Sequence, residues 1–298
     1  MSAVRELRRR ITSIKNIAKM TRAMQMVASS KMRRAQERVQ HSRPYAEHLR
    51  LLVERLANTI EDTEDASLAL LQQRPVRHIC VIAVTPDRKL CGALPSNIIR
   101  KALTAAREAQ KRQQQHSFTP DVSFIAVGRR GRDFIVRTQQ PMLAEFTNYG
   151  DWPSLSDARA IAQVAVDAFL KKEVDQVLLA YSQSVNTVIQ TPVSIQLLPI
   201  QLPTVEQNKP AQIAYLYEPD PHSIFAALLP RYIDIQVYQA LLETAASQQS
   251  AQMISMKNAT DSANELVQDL TLIMNKARQE IITMQILEVA TGAGGLFA

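Results

Sequence analysis

The chain has 298 residues, with 35 lysines and arginines against 28 aspartates and glutamates and a formal net charge of +7. That length holds a globular domain of roughly 150 residues with an elongated helical part beside it. No run of about eighteen apolar residues offers a transmembrane span, arginines interrupt the first apolar residues and argue against a secretory signal, and two cysteines, Cys80 and Cys91, give neither a metal cluster nor a disulfide framework and fit a reducing compartment.

The N-terminal segment has no proline before Pro44 and no glycine before Gly92. Small or apolar residues recur at alternating three and four spacings through Leu7, Ile11, Ile14, Ala18, Thr21, Gln25, Ala28, Met32 and Ala35, which predicts one long helix with a heptad seam. The heptad begins within the first ten residues and leaves no room for a disposable leader before it. Residues 1–43 carry twelve basic residues against Glu6 and Glu37. A face near +10 calls for an acidic partner: nucleic acid, anionic lipid or the carboxylate loops of another protein.

The middle changes to short apolar runs. His78–Thr85, Val122–Val127 and Val174–Tyr181 read as buried parallel strands. Asn97–Gln115 and Ser156–Lys172 read as helices, with Ser154 and Ser156 placed as N-caps. The glutamines of 110–115 read as a helix end or loop. Strands alternating with helices predict a small doubly wound α/β domain. Val188–Ile200 and Ala214–Tyr217 add a strand pair, confined to the sheet edge by Pro192, Pro199, Pro203 and Pro210.

This domain lacks the marks of an enzyme. Gly128 and Gly131 form a glycine pair without the third glycine or downstream acid of a dinucleotide fingerprint, and there is no P-loop. His41, His48, His78, His116 and His222 sit at no metal-ligand spacing. Asp87, Asp121 and Asp133 fall at strand ends, where capping or turn roles outweigh acid/base work. No cofactor or metal is expected.

The last segment, Arg231 to Thr291, runs sixty-one residues without glycine or proline. As a helix it is on the order of 90 Å long. Its seam is read through Met256, Ala259, Ala263, Leu266, Leu270, Ile273, Ala277 and Met284. Periodicity alone leaves a homodimeric coiled coil and intramolecular pairing both open, and the opposite chain ends favour the second. The expected division is a coiled-coil helix over 1–74, an α/β domain over 75–220 and a second coiled-coil helix over 221–298.

Five blocks carry a family resemblance: IAKMTRAMQMVASSKMRRAQ (17–36), TPDRKLCGALPSN (85–97), NTVIQTPVSIQLLP (186–199), YLYEPDP (215–221) and NELVQDLTLIMNKARQEIIT (264–283). In this order they resemble the γ subunit of the bacterial F-type ATP synthase, over the whole chain. The resemblance implies a long antiparallel coiled coil of the two terminal helices with a Rossmann-like α/β domain at one end. It implies a central rotor shaft, in single copy and without homo-oligomer. The partners it implies are the α and β subunits of the α3β3 hexamer, ε and the c-ring, and the location is the cytoplasmic side of the inner membrane as a peripheral protein.

Site residues follow from the same resemblance. Lys19, Arg22, Lys31, Arg33 and Arg34 match cations facing acidic loops of β, and Met24 matches a position near one of those loops, although helical spacing fits ordinary coiled-coil packing equally. Arg278, Gln279 and Thr283 match one catch on β, and Asp87, Arg88 and Lys89 a lower one. Tyr215, Tyr217 and Glu218 match the foot that meets the c-ring and ε. The small apolar end, Gly292–Ala298, suits a hydrophobic bearing or, more plainly, a glycine-capped helix end. The sequence departs from the family's pattern at Met284 and Gln285 in place of Gln-Glu, at Lys89 in place of glycine, at Ala93 in place of the second glycine of a pair, and at Pro95. A nucleic-acid-binding coiled coil is the rival reading, but residues 1–44 hold no aromatic for base readout. An oxidoreductase using the α/β domain is a third reading, and it would need a nucleotide site.

Overall fold

The computed structural model describes residues 2–59, 66–114, 119–184, 186, 189–201, 217–218 and 220–294. It divides into two compact units, Met1–Ser29 with Gln252–Ala298, and Ser30–Ala251.

Two helices supply the first unit, α1 (Ser2–Thr59) and α5 (Pro221–Gly294). From α1, Ile11, Ala18 and Ala28 are buried, with Leu7, Ile14, Thr21 and Gln25 half-buried, as the heptad predicts. From α5, Met256, Thr260 and Ala263 are buried, and Val267, Leu270, Met274, Ala277 and Ile281 continue the line half-buried. Alanine hides only about one methyl's worth of apolar area, so the pairing depends on close approach more than on hydrophobic mass.

The α5 seam corrects the sequence reading. Leu266, Ile273 and Met284 are exposed at 47%, 54% and 60%. Apolar residues occur there as adjacent pairs, Leu266 with Val267 and Ile273 with Met274, so the pattern fits two phases of the three-four alternation. Thr260 fixes the phase: its hydroxyl oxygen lies 2.7 Å from that of Thr21 and donates to the Met256 carbonyl at 2.8 Å.

The second unit contains the sheet, in order β3-β2-β1-β4-β5. Its strands are β1 (His78–Val84), β2 (Asp121–Val127), β3 (Met142–Phe146), β4 (Gln176–Ser184) and β5 (Gln190–Leu198). All neighbours are parallel except β4 and β5. Helices α2 (Leu94–Gln114) and α3 (Arg129–Arg137) cover one face, where Ile79, Val81, Ala83, Phe124 and Ala126 meet Ala102, Ala105 and Ile135. Helix α4 (Leu155–Leu170) lies on the other, where Cys80, Ile82, Val84, Ile125 and Val127 meet Ile161, Ala165 and Phe169. The antiparallel edge strand β5 tolerates Pro192 because only its β4 side is paired.

Ser154 caps α4 in a reciprocal box with Asp157, as the N-cap reading anticipates. Gln110–Gln114 close α2 as a helix end. Three elements escape the sequence reading: a 3-10 turn at Ala66–Leu71, α3 and β3. Of the expected second edge strand, Ala214–Leu216 lies outside the described residues, and Tyr217 is in no strand. Helix α1 also runs through Pro44, where the missing N–H removes one backbone bond without ending the helix. The continuation holds because Leu49, Val53 and Leu56 are buried, the last two in a core shared with Phe225, Leu229 and Ile233 of α5.

Within this unit the chain ends again run antiparallel. Ser42 of α1 donates to Gln239 of α5 at 2.7 Å, and further along Ala35 and Val39 share a cluster with Leu242 and Ala246. Every residue of α5 from Ala240 to Ala251 is buried, polar ones included.

Candidate functional site

Doubly wound sheets bind ligands outside the carboxyl ends of the strands, where strand order reverses. Here that point lies between β1 and β4, and α5 fills it. Thr244 Oγ1 accepts from the Ser182 amide at 3.4 Å, Ser247 donates to the Ser182 carbonyl at 3.3 Å, and Gln190 donates to Ser250 at 2.9 Å. Glu243 enters the same region at 3% exposure, accepting from Gln239 at 3.0 Å. Burial raises its pKa, against the lowering effects of that hydrogen bond and of Arg43. The polar residues of a helix occupy the crevice where a nucleotide would lie.

The loop after β1 is held from below. Thr85 donates to the Val127 carbonyl at 2.9 Å and accepts from the Gly131 amide at 2.8 Å, while Tyr149 donates to the Thr85 carbonyl at 2.6 Å. A Cβ on Gly128, whose φ is +93°, would stand 1.9 Å from the Thr85 carbonyl oxygen. The glycine pair that resembles half a dinucleotide fingerprint thus admits a neighbouring threonine. Asp87 accepts from the amide of Arg129, the first residue of α3, at 2.9 Å and from that of Asn148 at 3.1 Å. This is the capping role expected of a strand-end aspartate.

Beyond Asp87 the loop turns sharply, with Leu90 at φ 68° and Gly92 at φ 58°. Arg88 and Lys89 are exposed there. Arg88 Nε reaches Asp151 Oδ1 at 3.1 Å, and Lys31 Nζ of α1 reaches the other oxygen, Oδ2, at 2.6 Å. Gln249 of α5 adds a hydrogen bond to Oδ1 at 3.4 Å. Asp151 is 8% exposed, Lys31 31% and Arg88 54%. Next to it, Trp152 stacks under the Arg38 guanidinium at 4.6 Å and joins the cluster of Ala35, Val39, Leu242 and Ala246. One carboxylate therefore gathers the long helices and the loop.

Among the described residues no group of three or more histidines, cysteines or acids is arranged to hold a metal. Both cysteines are free and buried, and burial pushes the Cys80 thiol up to about 12 and raises Cys91. No described helix is long and apolar enough to cross a membrane.

A family model described as ATP synthase matches residues 3–296. The ATP synthase gamma chain of Dehalococcoides mccartyi strain CBDB1 is 45% identical over 296 residues, covering 99% of this chain and 100% of that one. This chain belongs to the ATP synthase gamma chain family. The gamma chain of Roseiflexus castenholzii is 44% identical over 299 residues, covering 99% of each. Among solved structures, a chain of the Euglena gracilis mitochondrial ATP synthase (OSCP/F1/c-ring, rotational state 3) matches with a TM-score of 0.67 at 16% identity, covering 99% of this chain and 95% of its own length. A chain from the central stalk and c-ring of the Tetrahymena thermophila mitochondrial enzyme matches at 0.56 and 24%, over 80% of this chain and 99% of its own. At such identities these likenesses speak for the fold.

In this gamma chain the expected contact residues fall into separate groups. In the first unit Lys19 and Arg22 are exposed and Met24 is half-buried beside the seam. Arg278, Gln279 and Thr283 are exposed on α5. Because Thr21 faces Thr260, the Arg278 group lies about 27 Å further along the pair, eighteen residues at ~1.5 Å each. In the second unit Arg33 and Arg34 are exposed, while Lys31 and Arg88 meet on Asp151. Tyr217 is half-buried and Glu218 exposed; Tyr215 lies outside the described residues. Sequence reasoning missed Asp151 altogether: nothing in the run Tyr149-Gly150-Asp151-Trp152 distinguishes it from a solvated turn.

Proposed function

We propose that this gamma chain is the central rotor shaft of an F-type ATP synthase, coupling ion-driven rotation of a c-ring to conformational change at the catalytic sites of an α3β3 hexamer. The observation that carries the reading is similarity to gamma chains over the full length at 45% identity, in a chain whose two ends pair as helices. A shaft has to transmit torque from end to end, and paired helices resist bending and twisting better than a single helix.

The chain contributes no catalytic group of its own. The filled crevice beside β4 and the inert thiols support this. Lys19, Arg22, Met24, Arg88, Lys89, Arg278, Gln279 and Thr283 face β, with Asp87 shaping the loop from inside. Tyr215, Tyr217 and Glu218 face the c-ring and ε. Ile282, Met284, Ile286, Leu287 and Val289, 44 to 73% exposed, form a surface suited to a greasy sleeve. The domains are an N-terminal coiled-coil region over 1–74, an α/β domain over 75–220 and a C-terminal coiled-coil region over 221–298, and the complex sits on the cytoplasmic side of the inner membrane.

The test is reconstitution. Added to α and β subunits of the same source, the chain restores steady ATP hydrolysis; alone, it hydrolyses none above a buffer blank. Turnover by the isolated chain would sink the non-catalytic reading.

A further inference from the structure

Arg88 presents an unused edge. A guanidinium carries five donors in a planar fork, and Arg88 turns its Nε edge to Asp151 as an ion pair, 3.1 Å from Oδ1. Its two Nη groups have no partner among the described residues, and the side chain is 54% exposed. Asp151 is anchored by contrast: it is 8% exposed, holds Lys31 at 2.6 Å and Gln249 at 3.4 Å, and stands in a loop tied to the Thr85–Cys91 segment by Asn148 to Asp87 and Tyr149 to Thr85. One negative charge facing Lys31 and Arg88 leaves the cluster net positive, and exposed Lys89 adds to it. Asp87, whose two oxygens are held by backbone amides, keeps its charge, and three cations (Lys31, Arg88, Lys89) against two carboxylates (Asp151, Asp87) still leave a net +1.

We propose that Asp151 is a positioning residue: it fixes the Nε edge of Arg88 so that the Nη edge is held out, pre-oriented, for a carboxylate on an acidic loop of a surrounding subunit. This rests on the rotor reading. An arginine free to sample its rotamers gives up conformational freedom on docking, whereas one held at Nε has already lost it. Bidentate capture of a carboxylate needs the fork that lysine lacks. Lys31 pairs with the other Asp151 oxygen from the α1 side.

The experiment is a mutant cycle in the reconstituted complex, read as steady ATP hydrolysis at low and high salt. Arg88→Gln lowers turnover by about two- to fivefold, the size a half-exposed ion pair carries, and the loss shrinks as salt rises. Asp151→Asn gives a similar loss, and in the Arg88→Gln background it adds nothing. Arg88→Lys keeps charge and folding and still loses turnover as Arg88→Gln does, so the proposal stays testable even where Asp151→Asn fails to assemble. Additive losses or wild-type turnover in Arg88→Lys would each overturn it. A wild-type chain that restores no hydrolysis would instead overturn the rotor reading, and this proposal with it.

Discussion

Thr21 and Thr260 meet hydroxyl to hydroxyl, 2.7 Å apart, inside a seam of mostly small and apolar residues. A polar pair at one layer specifies register where alanines alone would slide, the use made of buried polar residues in coiled coils generally. Thr21→Cys with Thr260→Cys crosslinks on mild oxidation within one chain, and the yield is unchanged on dilution. A product found only at twice the mass, and lost on dilution, would show that the helices pair between chains.

Gly128 has a backbone that side chains disfavour and a neighbour that leaves no space. Gly128→Ala places a methyl against the Thr85 carbonyl and strains φ at once. The two effects together cost about 2 to 5 kcal/mol, read as a lower denaturant midpoint of the full chain. A shift within about 0.5 kcal/mol, the range of neutral surface changes, would mean that the loop relaxes freely.

The strands that sequence reveals are those buried on both faces. His78–Val84 has six buried residues in a row, and a β-branched run survives any reading of period. Helix α3 defeats the same approach because Arg129, Arg130, Arg132 and Arg137 crowd nine residues in which only Gly131 and Ile135 are buried. Strand β3 has only Ala144 and Phe146 half-buried at the sheet edge, and its apolar run, Met142 to Ala144, is too short to stand out. The α5 seam was legible as a stripe but not in phase, since its apolar residues come in adjacent pairs. Of the candidate site, the α1 cations were legible as a charge run and Arg88 only through the family resemblance; the carboxylate that joins Lys31 to Arg88 was not legible, because Asp151 lies far in sequence from both and from Gln249.

Glu243 makes stability depend on pH. Its folded pKa is raised by burial, so its contribution is fully present below the unfolded value of 4.5 and is lost as pH rises through the folded value. Glu243→Gln, neutral throughout, therefore melts higher than wild type at neutral pH, and the two converge as pH falls toward 4.5. A difference that stays constant with pH would show that Glu243 titrates alike in both states.

Arg278 and Gln279 are exposed in the isolated chain, so replacing both by alanine leaves its melting unchanged. In the complex the same double variant lowers steady hydrolysis, because charge-assisted hydrogen bonds to a β carboxylate are worth roughly 1.5 to 3 kcal/mol when shielded. Met284 and Gln285, which stand where a carboxylate is usual, reduce the size of the effect. Wild-type turnover in the double variant would mark these residues as plain helix surface.

A rotor shaft turns inside its hexamer. The α3β3 hexamer is fixed to a surface through its β subunits and a bead is attached to the α/β domain through a cysteine introduced at exposed Lys111 on α2. The account predicts that ATP drives continuous rotation of the bead in one direction, pausing at three positions in each turn, and that rotation stops when nucleotide is withdrawn. A complex that hydrolyses ATP at full rate while the bead only fluctuates would contradict it.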